Sequence, residues 1–148
     1  MQVIKWDETN KPSDLKINNI INFLYENLEE YGDTKEDIRK CLKYVFNELS
    51  ERTTSGFIIE ALENSEIIGI SVINETGMSG YIPENILVYI ATCKKNRGKG
   101  IGKLLMLKII EETKGNIALH VENDNPAKYL YEKFSIQNKP NLTSIGLS

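Results

Sequence analysis

The sequence predicts a single α/β domain, and three patterns in its 148 residues lead to that prediction. Two amphipathic helical segments follow a short first strand. A β-hairpin comes next, and a buried strand then passes through a glycine-rich turn into a third helix. The length suits one domain with one core. The predicted order of elements is β-α-α-β-β-β-α-β-α-β.

A strand and two helices make up the first third of the chain. Residues 2–6 form the strand, and the first helix begins at Ser13 or Asp14, because apolar side chains from there on keep helical spacing. Further along, Thr34 followed three residues later by Asp37 is typical of an N-terminal capping box and opens the second helix. The apolar positions are Ile17, Ile20, Ile21, Leu24 and Leu28 in the first helix, and Ile38, Cys41, Leu42, Val45 and Leu49 in the second.

The rest of the chain contains further strands and helices. Two apolar segments flank the polar turn at 63–66, which predicts a β-hairpin. Asn125-Pro126 is typical of a helix start, with asparagine as the cap and proline at the first helical position. The predicted strands are 57–62, 67–72, 86–92, 116–121 and 142–147, the polar loop after the hairpin is 74–80, and the third helix follows the glycine turn at 104–110.

Composition narrows the class of protein. The hydrophobic share of 41% and the charged share of 26% are ordinary for a soluble globular protein, and no segment approaches the ~20 apolar residues that cross a membrane. The first residues lack the layout of a signal peptide. Cys41 and Cys93 have neither disulfide-framework nor metal-ligand spacing, so we expect a reduced, cytoplasmic setting and no metal site. The net charge is −3 with one basic run at 94–103, so nucleic acid is not an expected partner, and without a long apolar segment a membrane is not expected either.

The residues Arg97-Gly98-Lys99-Gly100-Ile101-Gly102-Lys103 join the buried strand to the third helix. Three glycines at alternate positions allow a tight turn and let a ligand approach the backbone closely, because no Cβ stands in the way. The first N–H groups of a helix have no partner within the helix and point outward beside the positive end of its dipole. This segment therefore predicts a phosphate or pyrophosphate site, with a glycine-rich turn that binds nothing as the structural alternative.

The spacing of the glycines separates the known kinds of phosphate loop. A Walker A loop requires Ser or Thr after its Gly-Lys pair, and Leu104 follows Gly102-Lys103 in this chain. A dinucleotide-binding fingerprint requires a third glycine at the position of Leu105. Neither pattern fits.

The pattern that does fit is Arg-x-x-Gly-x-Gly, formed by Arg97, Gly100 and Gly102. It resembles the signature of the GNAT superfamily, the Gcn5-related N-acetyltransferases. The predicted order of elements is also the GNAT order. The resemblance therefore implies a mixed central sheet flanked by helices in one N-acetyltransferase domain that spans residues 1–148.

A second segment, at 123–134, resembles another GNAT signature. Ala127 and the run Leu130-Tyr131-Glu132-Lys133 fall in place, whereas Phe134-Ser135-Ile136 stands where Leu-Gly-Phe is usual. The position of the signature's asparagine has two possible assignments. Counting forward from the preceding strand gives Asn125, and counting back from Tyr131 gives Asp124.

The resemblance implies an N-acetyltransferase that moves the acetyl group of acetyl-CoA to a primary amine by direct attack on the thioester. In the family, the strand before the glycine loop separates from its neighbour and its main-chain groups bind the pantetheine arm. The amides of the loop bind the pyrophosphate, and Arg97 shapes the entrance to the loop. The implied cofactor-binding residues are Ile90, Ala91, Thr92, Arg97, Gly98, Lys99, Gly100, Ile101, Gly102, Lys103 and Asn125.

Two residues are candidates for acid and base catalysis. Tyr131 is the general acid that the resemblance implies, since a phenol with an ordinary pKa near 10 is protonated at neutral pH and can protonate the departing thiolate. Its structural alternative is a core residue, because Ala127, Leu130 and Phe134 share its helical face. Glu84, at the start of the strand before the loop, is the candidate base and would act through a water. An exposed glutamate at a strand entrance is the alternative.

Two further side chains carry reactive groups. His120, the one histidine of the chain, faces away from its neighbours Leu119 and Val121 and titrates near neutrality, so a role as base or substrate contact stands beside a structural one. Cys93 ends the strand before the loop, and because no neighbour in the sequence activates it, we expect an inert thiol.

Two other functions remain open. One is a catalytically silent acetyl-CoA or CoA-binding module on the same fold, and the other is a phosphate-binding interaction domain without a thioester ligand. The presence of Tyr131 favours an enzyme. We expect a small-molecule or peptide amine as acceptor, and a monomer or homodimer. Acidic residues of the first two helices suggest a cationic amine, with a solvated acidic helix pair as the alternative. They are Glu26, Glu29, Glu30, Asp33, Glu36 and Asp37.

Overall fold

A six-stranded mixed sheet forms the centre of the fold, and its strand order follows the chain. The computed structural model describes residues 1–48, 55–78, 83–122 and 142–147, of which 120–122 and 142–147 are described as backbone alone. The strands are β1 Gln2–Trp6, β2 Gly56–Glu63, β3 Glu66–Glu75, β4 Asn85–Thr92, β5 Ile117–Glu122 and β6 Leu142–Leu147. Neighbouring strands are antiparallel from β1 to β4 and parallel from β4 to β6. The predicted α/β class with a mixed sheet is therefore confirmed.

Helices cover both faces of the sheet. α1 spans Asp14–Leu28, α2 spans Lys35–Val45 and α3 spans Ile101–Glu112, with short 3-10 turns at Glu29–Tyr31 and Lys94–Asn96. The Ser13 hydroxyl accepts the N–H of Lys16 at 3.1 Å, and the Thr34 hydroxyl accepts the N–H of Asp37 at 3.2 Å. Each hydroxyl satisfies an amide that has no partner within its helix, which confirms the predicted starts of α1 and α2.

β3 is longer than the sequence indicates. It continues to Glu75, so residues 74 and 75 belong to a strand and not to the predicted polar loop. Pairing is the reason. Asn74 lies opposite Gly56, and the N–H of Glu75 donates to the Ser55 carbonyl at 2.7 Å. Polar side chains do not prevent a strand where a neighbour supplies main-chain partners.

α2 ends before its predicted last apolar position. The helix stops at Val45, and Asn47 has a φ of 56°, a left-handed conformation that no right-handed helix can continue. Leu49 lies outside the described residues, as does the helix predicted to begin at Asn125-Pro126.

Alternation of side chains along the strands divides the core into two layers. α3 covers one face of the sheet, and α1 and α2 cover the other. Because both faces are covered, β2 is buried from Gly56 to Leu62. The layer under α3 includes Ile59, Ala61, Leu87, Leu105 and Ile109, and the layer under α1 and α2 includes Ile20, Leu24, Leu42, Ile58, Ile70 and Val72.

A buried carboxylate connects the start of the chain to the sheet. Glu60 of β2 is 0% exposed, and it accepts the indole N–H of Trp6 at 3.1 Å and the Lys16 ammonium at 2.9 Å. Trp6 ends β1 and Lys16 lies in the first turn of α1. A buried charge that lost these partners would be strongly unfavourable, so the three residues hold β1, β2 and α1 in one arrangement.

Gly69 of β3 provides the seat for the first turn of α3. A Cβ at this position would lie 2.8 Å from Ile101 Cγ2 and 3.0 Å from Leu105 Cδ1. Both distances are too short for carbon atoms in contact, so the start of α3 packs against the sheet at a point where a side chain is missing. The position of this helix start matters because the glycine loop leads directly into it.

We predict that Gly69→Val lowers the free energy of unfolding by about 1–3 kcal/mol, since the new side chain overpacks the contact with α3. Equilibrium urea unfolding measures the effect. Ile101→Ala removes the nearest opposing atoms. The loss of unfolding free energy in the double variant should therefore be smaller than the sum of the losses in the two single variants. Strictly additive changes would show that position 69 and the start of α3 do not meet.

Candidate functional site

Val88 is an extra residue in β4. In the pairing of β3 with β4, Ile73 lies opposite Leu87 and Val72 lies opposite Tyr89, which leaves Val88 without a partner. A step of two residues normally keeps a side chain on one face of a sheet. Here Leu87 belongs to the layer under α3 and Tyr89 to the layer under α1 and α2. Val88 therefore forms a β-bulge that reverses the faces of the strand.

β4 and β5 separate at the same place. Their parallel pairing covers three positions and ends with Leu87 opposite Leu119, although β4 continues to Thr92 and β5 to Glu122. A bulge bends its strand and increases the local twist, which accounts for the separation. From residue 88 onward, β4 therefore has an edge that β5 does not pair.

The main-chain groups of Ile90 and Thr92 face this gap, as the hydrogen bonds at the two ends of β4 indicate. At the start of β4, the N–H of Asn85 donates toward β5, to the Asn116 carbonyl at 3.1 Å. After its end, the N–H of Cys93 donates to Ile68 of β3 at 2.9 Å. Main-chain groups alternate between the two edges of a strand, so the N–H and C=O groups of Ile90 and Thr92 point away from β3. Ala91, which lies opposite Ile70, directs its main-chain groups toward β3.

The glycine loop presents free amides next to this gap. Gly98 and Gly100 have φ of 82° and 83°, and a Cβ at either position would meet nothing within 4 Å. Gly100 is the N-cap of α3, and the first helical bond runs from the N–H of Leu104 to its carbonyl at 3.0 Å. The N–H groups of Ile101, Gly102 and Lys103 have no acceptor among the described residues. Open amides at the positive end of a 12-residue helix are suited to bind an anion.

Arg97 connects the glycine loop to the end of α1. One of its guanidinium nitrogens donates to the Asn27 carbonyl at 2.9 Å, and another lies 3.5 Å from the Glu29 carboxylate. The Lys94 ammonium is 3.3 Å from the same carboxylate. The hydrogen bond from Lys94, together with the charges of Lys94 and Arg97, lowers the pKa of Glu29. The loop entrance is thus held against the segment between α1 and α2, which the sequence did not indicate.

A buried tyrosine follows the bulge. Tyr89 is 7% exposed, and its hydroxyl donates to the Asp33 carboxylate at 2.5 Å. Burial, and then the hydrogen bond to Asp33, raise the pKa of Tyr89 well above its usual value, so the phenol stays protonated. Burial also raises the pKa of the nearby Cys41 thiol to about 11. Sequence reasoning missed this pair, and the one signal for it was a tyrosine in an otherwise aliphatic strand.

Glu84 lies at the opposite end of β4 from the glycine loop. The strand has eight residues, so its first and last residues are about 23 Å apart. The Glu84 carboxylate accepts the N–H of Asn116 at 2.5 Å and packs against Gly115, which orders the turn before β5. It also lines a cavity of about 440 Å³ between the start of β4 and the end of α3. Its catalytic role stays a prediction.

The structure describes the remaining predicted site residues only in part. Tyr131 and Asn125 lie outside the described residues, and His120 is described by its backbone in β5 alone. Cys93 is half-buried after β4. In the described ranges there is no group of three or more His, Cys, Asp or Glu side chains arranged to hold a metal ion. The same ranges contain no helix that combines the length and the apolar character needed to cross a bilayer.

Comparison with known proteins identifies the family. A sequence model described as the acetyltransferase (GNAT) family matches residues 18–135. The chain belongs to the GNAT family. No curated protein sequence matches it significantly.

Solved structures support the same fold. PH1933 from Pyrococcus horikoshii OT3 is 25% identical with a TM-score of 0.60, over 90% of this chain and 88% of that one. The ribosomal-protein-S18-alanine N-acetyltransferase of Escherichia coli is 14% identical with a TM-score of 0.63, over 90% and 76%. The aminoglycoside acetyltransferase HMB0005, from an uncultured soil metagenomic sample, is 17% identical with a TM-score of 0.60, over 99% and 98%. The GNAT resemblance of the sequence is therefore confirmed.

Proposed function

We propose that this GNAT protein is an N-acetyltransferase that moves the acetyl group of acetyl-CoA to a primary amine. One observation carries the proposal: the edge of β4 that β5 does not pair leads to the amides at the start of α3, which have no acceptor among the described residues. An extended ligand with a negatively charged end would find hydrogen-bonding groups along its arm and an anion site at its end.

The residues present fit acetyl-CoA. The N–H and C=O groups of Ile90 and Thr92 can bond the amides of the pantetheine arm, much as an added strand pairs with a sheet edge. The pyrophosphate would lie on the loop from Gly98 to Lys103, with the N–H groups of Ile101, Gly102 and Lys103 as donors, and no Cβ at Gly98 or Gly100 obstructs its approach. Arg97 shapes the loop entrance by its contacts with the end of α1. Asn125, in the segment that resembles the second GNAT signature, is proposed as a further contact with acetyl-CoA.

The proposed reaction is direct transfer. The neutral amine attacks the thioester carbonyl, a C–N bond forms, the C–S bond breaks and the thiolate of CoA leaves. The nitrogen loses a proton and the sulfur gains one. Holding amine and carbonyl in line can supply a large part of the rate enhancement, and a free N–H of β4 would stabilise the negative charge on the carbonyl oxygen. Tyr131 is proposed to give its proton to the thiolate, and Glu84 to take the amine proton through water.

The acceptor is proposed to be an amine of a small molecule or a peptide. Two structural neighbours are named for such acceptors, a ribosomal-protein alanine and an aminoglycoside. Between α1 and α2, Glu30 and Asp33 form no ion pair with a described side chain, unlike Glu29, and their charges support a cationic amine.

A binding and transfer assay tests the function. Acetyl-CoA should raise the melting temperature of the protein in a concentration-dependent manner, whereas ATP and NAD at the same concentrations should not. A panel of amines with free-thiol detection should then reveal CoA release. Stabilisation by acetyl-CoA without thiol release from any amine would identify a silent binding module instead. No stabilisation by acetyl-CoA would contradict the proposal as a whole.

We predict that Gly100→Asp weakens acetyl-CoA binding at least roughly tenfold, because it adds a negative charge where the backbone would meet the pyrophosphate. Gly100→Asn is the matched control, since it has the same shape and the same strain at positive φ without the charge. Calorimetric titration of both folded variants measures the difference. Equal affinities for the two variants would remove the phosphate site from the start of α3.

Tyr131→Phe should lower turnover by roughly 10² while the affinity for acetyl-CoA holds, because it deletes the acidic proton and keeps the ring. Steady-state kinetics with a saturating amine separates kcat from KM. A turnover within a factor of two of the parent would make Tyr131 a packing residue.

Glu84→Gln should lower the rate mainly below pH 8, where the amine needs help to lose its proton. The glutamine can still accept the N–H of Asn116 through its amide oxygen, so thermal stability should hold. His120→Asn is compared in the same pH–rate profile and is expected to have the smaller effect. If His120→Asn alone removes the acid limb of the profile, the histidine is the base.

A further inference from the structure

The bulge in β4 places one carboxylate above the part of the strand beside which the amine is proposed to attack the thioester. Tyr89 follows Val88 directly, and β4 loses its pairing with β5 just before it. The Tyr89 hydroxyl rises from the strand on the face of α1 and α2 and donates to Asp33, which lies just before α2. The Asp33 carboxylate therefore lies above β4 at the height of the Tyr89 hydroxyl, beside the first residues of the strand edge that β5 does not pair.

The charge of Asp33 is not neutralised by a basic side chain. Its partner Tyr89 is a neutral phenol, and in the part of the chain with described side chains no Lys or Arg forms an ion pair with it. Lys35, two residues away, instead lies over the Tyr25 ring at 5.1 Å. Two nearby carboxylates differ in this respect, since Glu29 contacts Lys94 and Arg97, and Glu36 contacts Lys40 at 3.9 Å.

The phenol fixes where this charge stands. Asp33 is exposed as a residue, while Tyr89 is buried. A hydrogen bond from a rigid, packed ring restricts the carboxylate to one place and one orientation. This removes part of the entropy that a free surface side chain would lose on binding a ligand.

We propose that Asp33, oriented by Tyr89, binds a second positive charge on the acceptor, so that the enzyme selects amines with two or more cationic groups. This inference rests on the proposed acetyl transfer. The reacting nitrogen itself is a poor partner for Asp33, because a carboxylate contact favours the protonated ammonium form, which cannot attack. The carboxylate also stands off the plane of the sheet, whereas the unpaired groups of Ile90 and Thr92 lie along its edge.

The test compares butylamine with 1,4-diaminobutane, which differ by one ammonium group at equal chain length. The parent protein should have a kcat/KM for the diamine roughly tenfold above that for the monoamine. Asp33→Asn keeps an oxygen that accepts the Tyr89 hydroxyl and removes the charge. The ratio of kcat/KM for the diamine to that for the monoamine should then fall close to one, because the KM of the diamine rises. Tyr89→Phe keeps the charge and loses the orientation, so it should lower the ratio by less. Glu36→Gln, which removes a neighbouring charge that Lys40 already contacts, should leave the ratio unchanged.

A binding measurement separates this inference from the proposed function. Calorimetric titration of 1,4-diaminobutane into the protein saturated with CoA requires no turnover, and Asp33→Asn should weaken the diamine by roughly tenfold. Absence of transfer to every amine would contradict the proposed function, while the titration would still decide the role of Asp33. Equal diamine affinity of the parent and Asp33→Asn, or an equal fall in the ratio for Glu36→Gln, would overturn the inference.

Discussion

Val88 has no partner on β3, and this one unpaired residue reverses the direction of every main-chain and side-chain group in the second half of β4. Without it, the N–H of Cys93 would point to the same edge as that of Asn85, and Tyr89 would join Leu87 under α3. The bulge thus turns Ile90 and Thr92 toward the gap and directs Tyr89 toward Asp33 in one step. The proposed ligand-binding edge and the proposed recognition side chain arise from the same local irregularity.

The proposed anion site depends on a second constraint, which is the position of α3 on the sheet. Its free amides are useful only if the helix starts beside the open edge of β4. The missing side chain at Gly69 allows this by letting Ile101 and Leu105 approach the sheet. The positive φ of Gly98 and Gly100 then lets the chain turn from the strand into the helix within a few residues. The strand edge and the helix start together form the surface on which the extended anionic ligand is proposed to lie.

The sequence predicted the helices and strands that the structure describes, and the glycine turn, because those signals are local. Ser13 and Thr34 cap their helices as their spacing indicates, and the glycines of the loop mark the strand-to-helix turn. The bulge was not predictable in the same way. β4 is packed on both faces, so its residues are apolar in succession, and no alternation existed for Val88 to interrupt.

The contacts that shape the site were also beyond sequence reasoning, for a different reason. Tyr89 meets Asp33 across 56 positions of the chain, and Arg97 meets Asn27 across 70. A pattern within a window of residues carries no information on such pairs. The roles of Tyr131, Asn125 and Glu84 came from the family signatures and stay predictions.

The bond from Arg97 to the end of α1 has a consequence for how this protein can diversify. Its acceptor is the main-chain carbonyl of Asn27, which every amino acid supplies. Side chains along the last turn of α1 can therefore change without loss of that contact, whereas an insertion or deletion there would move the carbonyl and disturb the glycine loop. Selection on this surface is expected to tolerate new residues and to resist new lengths, so that its side chains can vary while the glycine loop keeps its position.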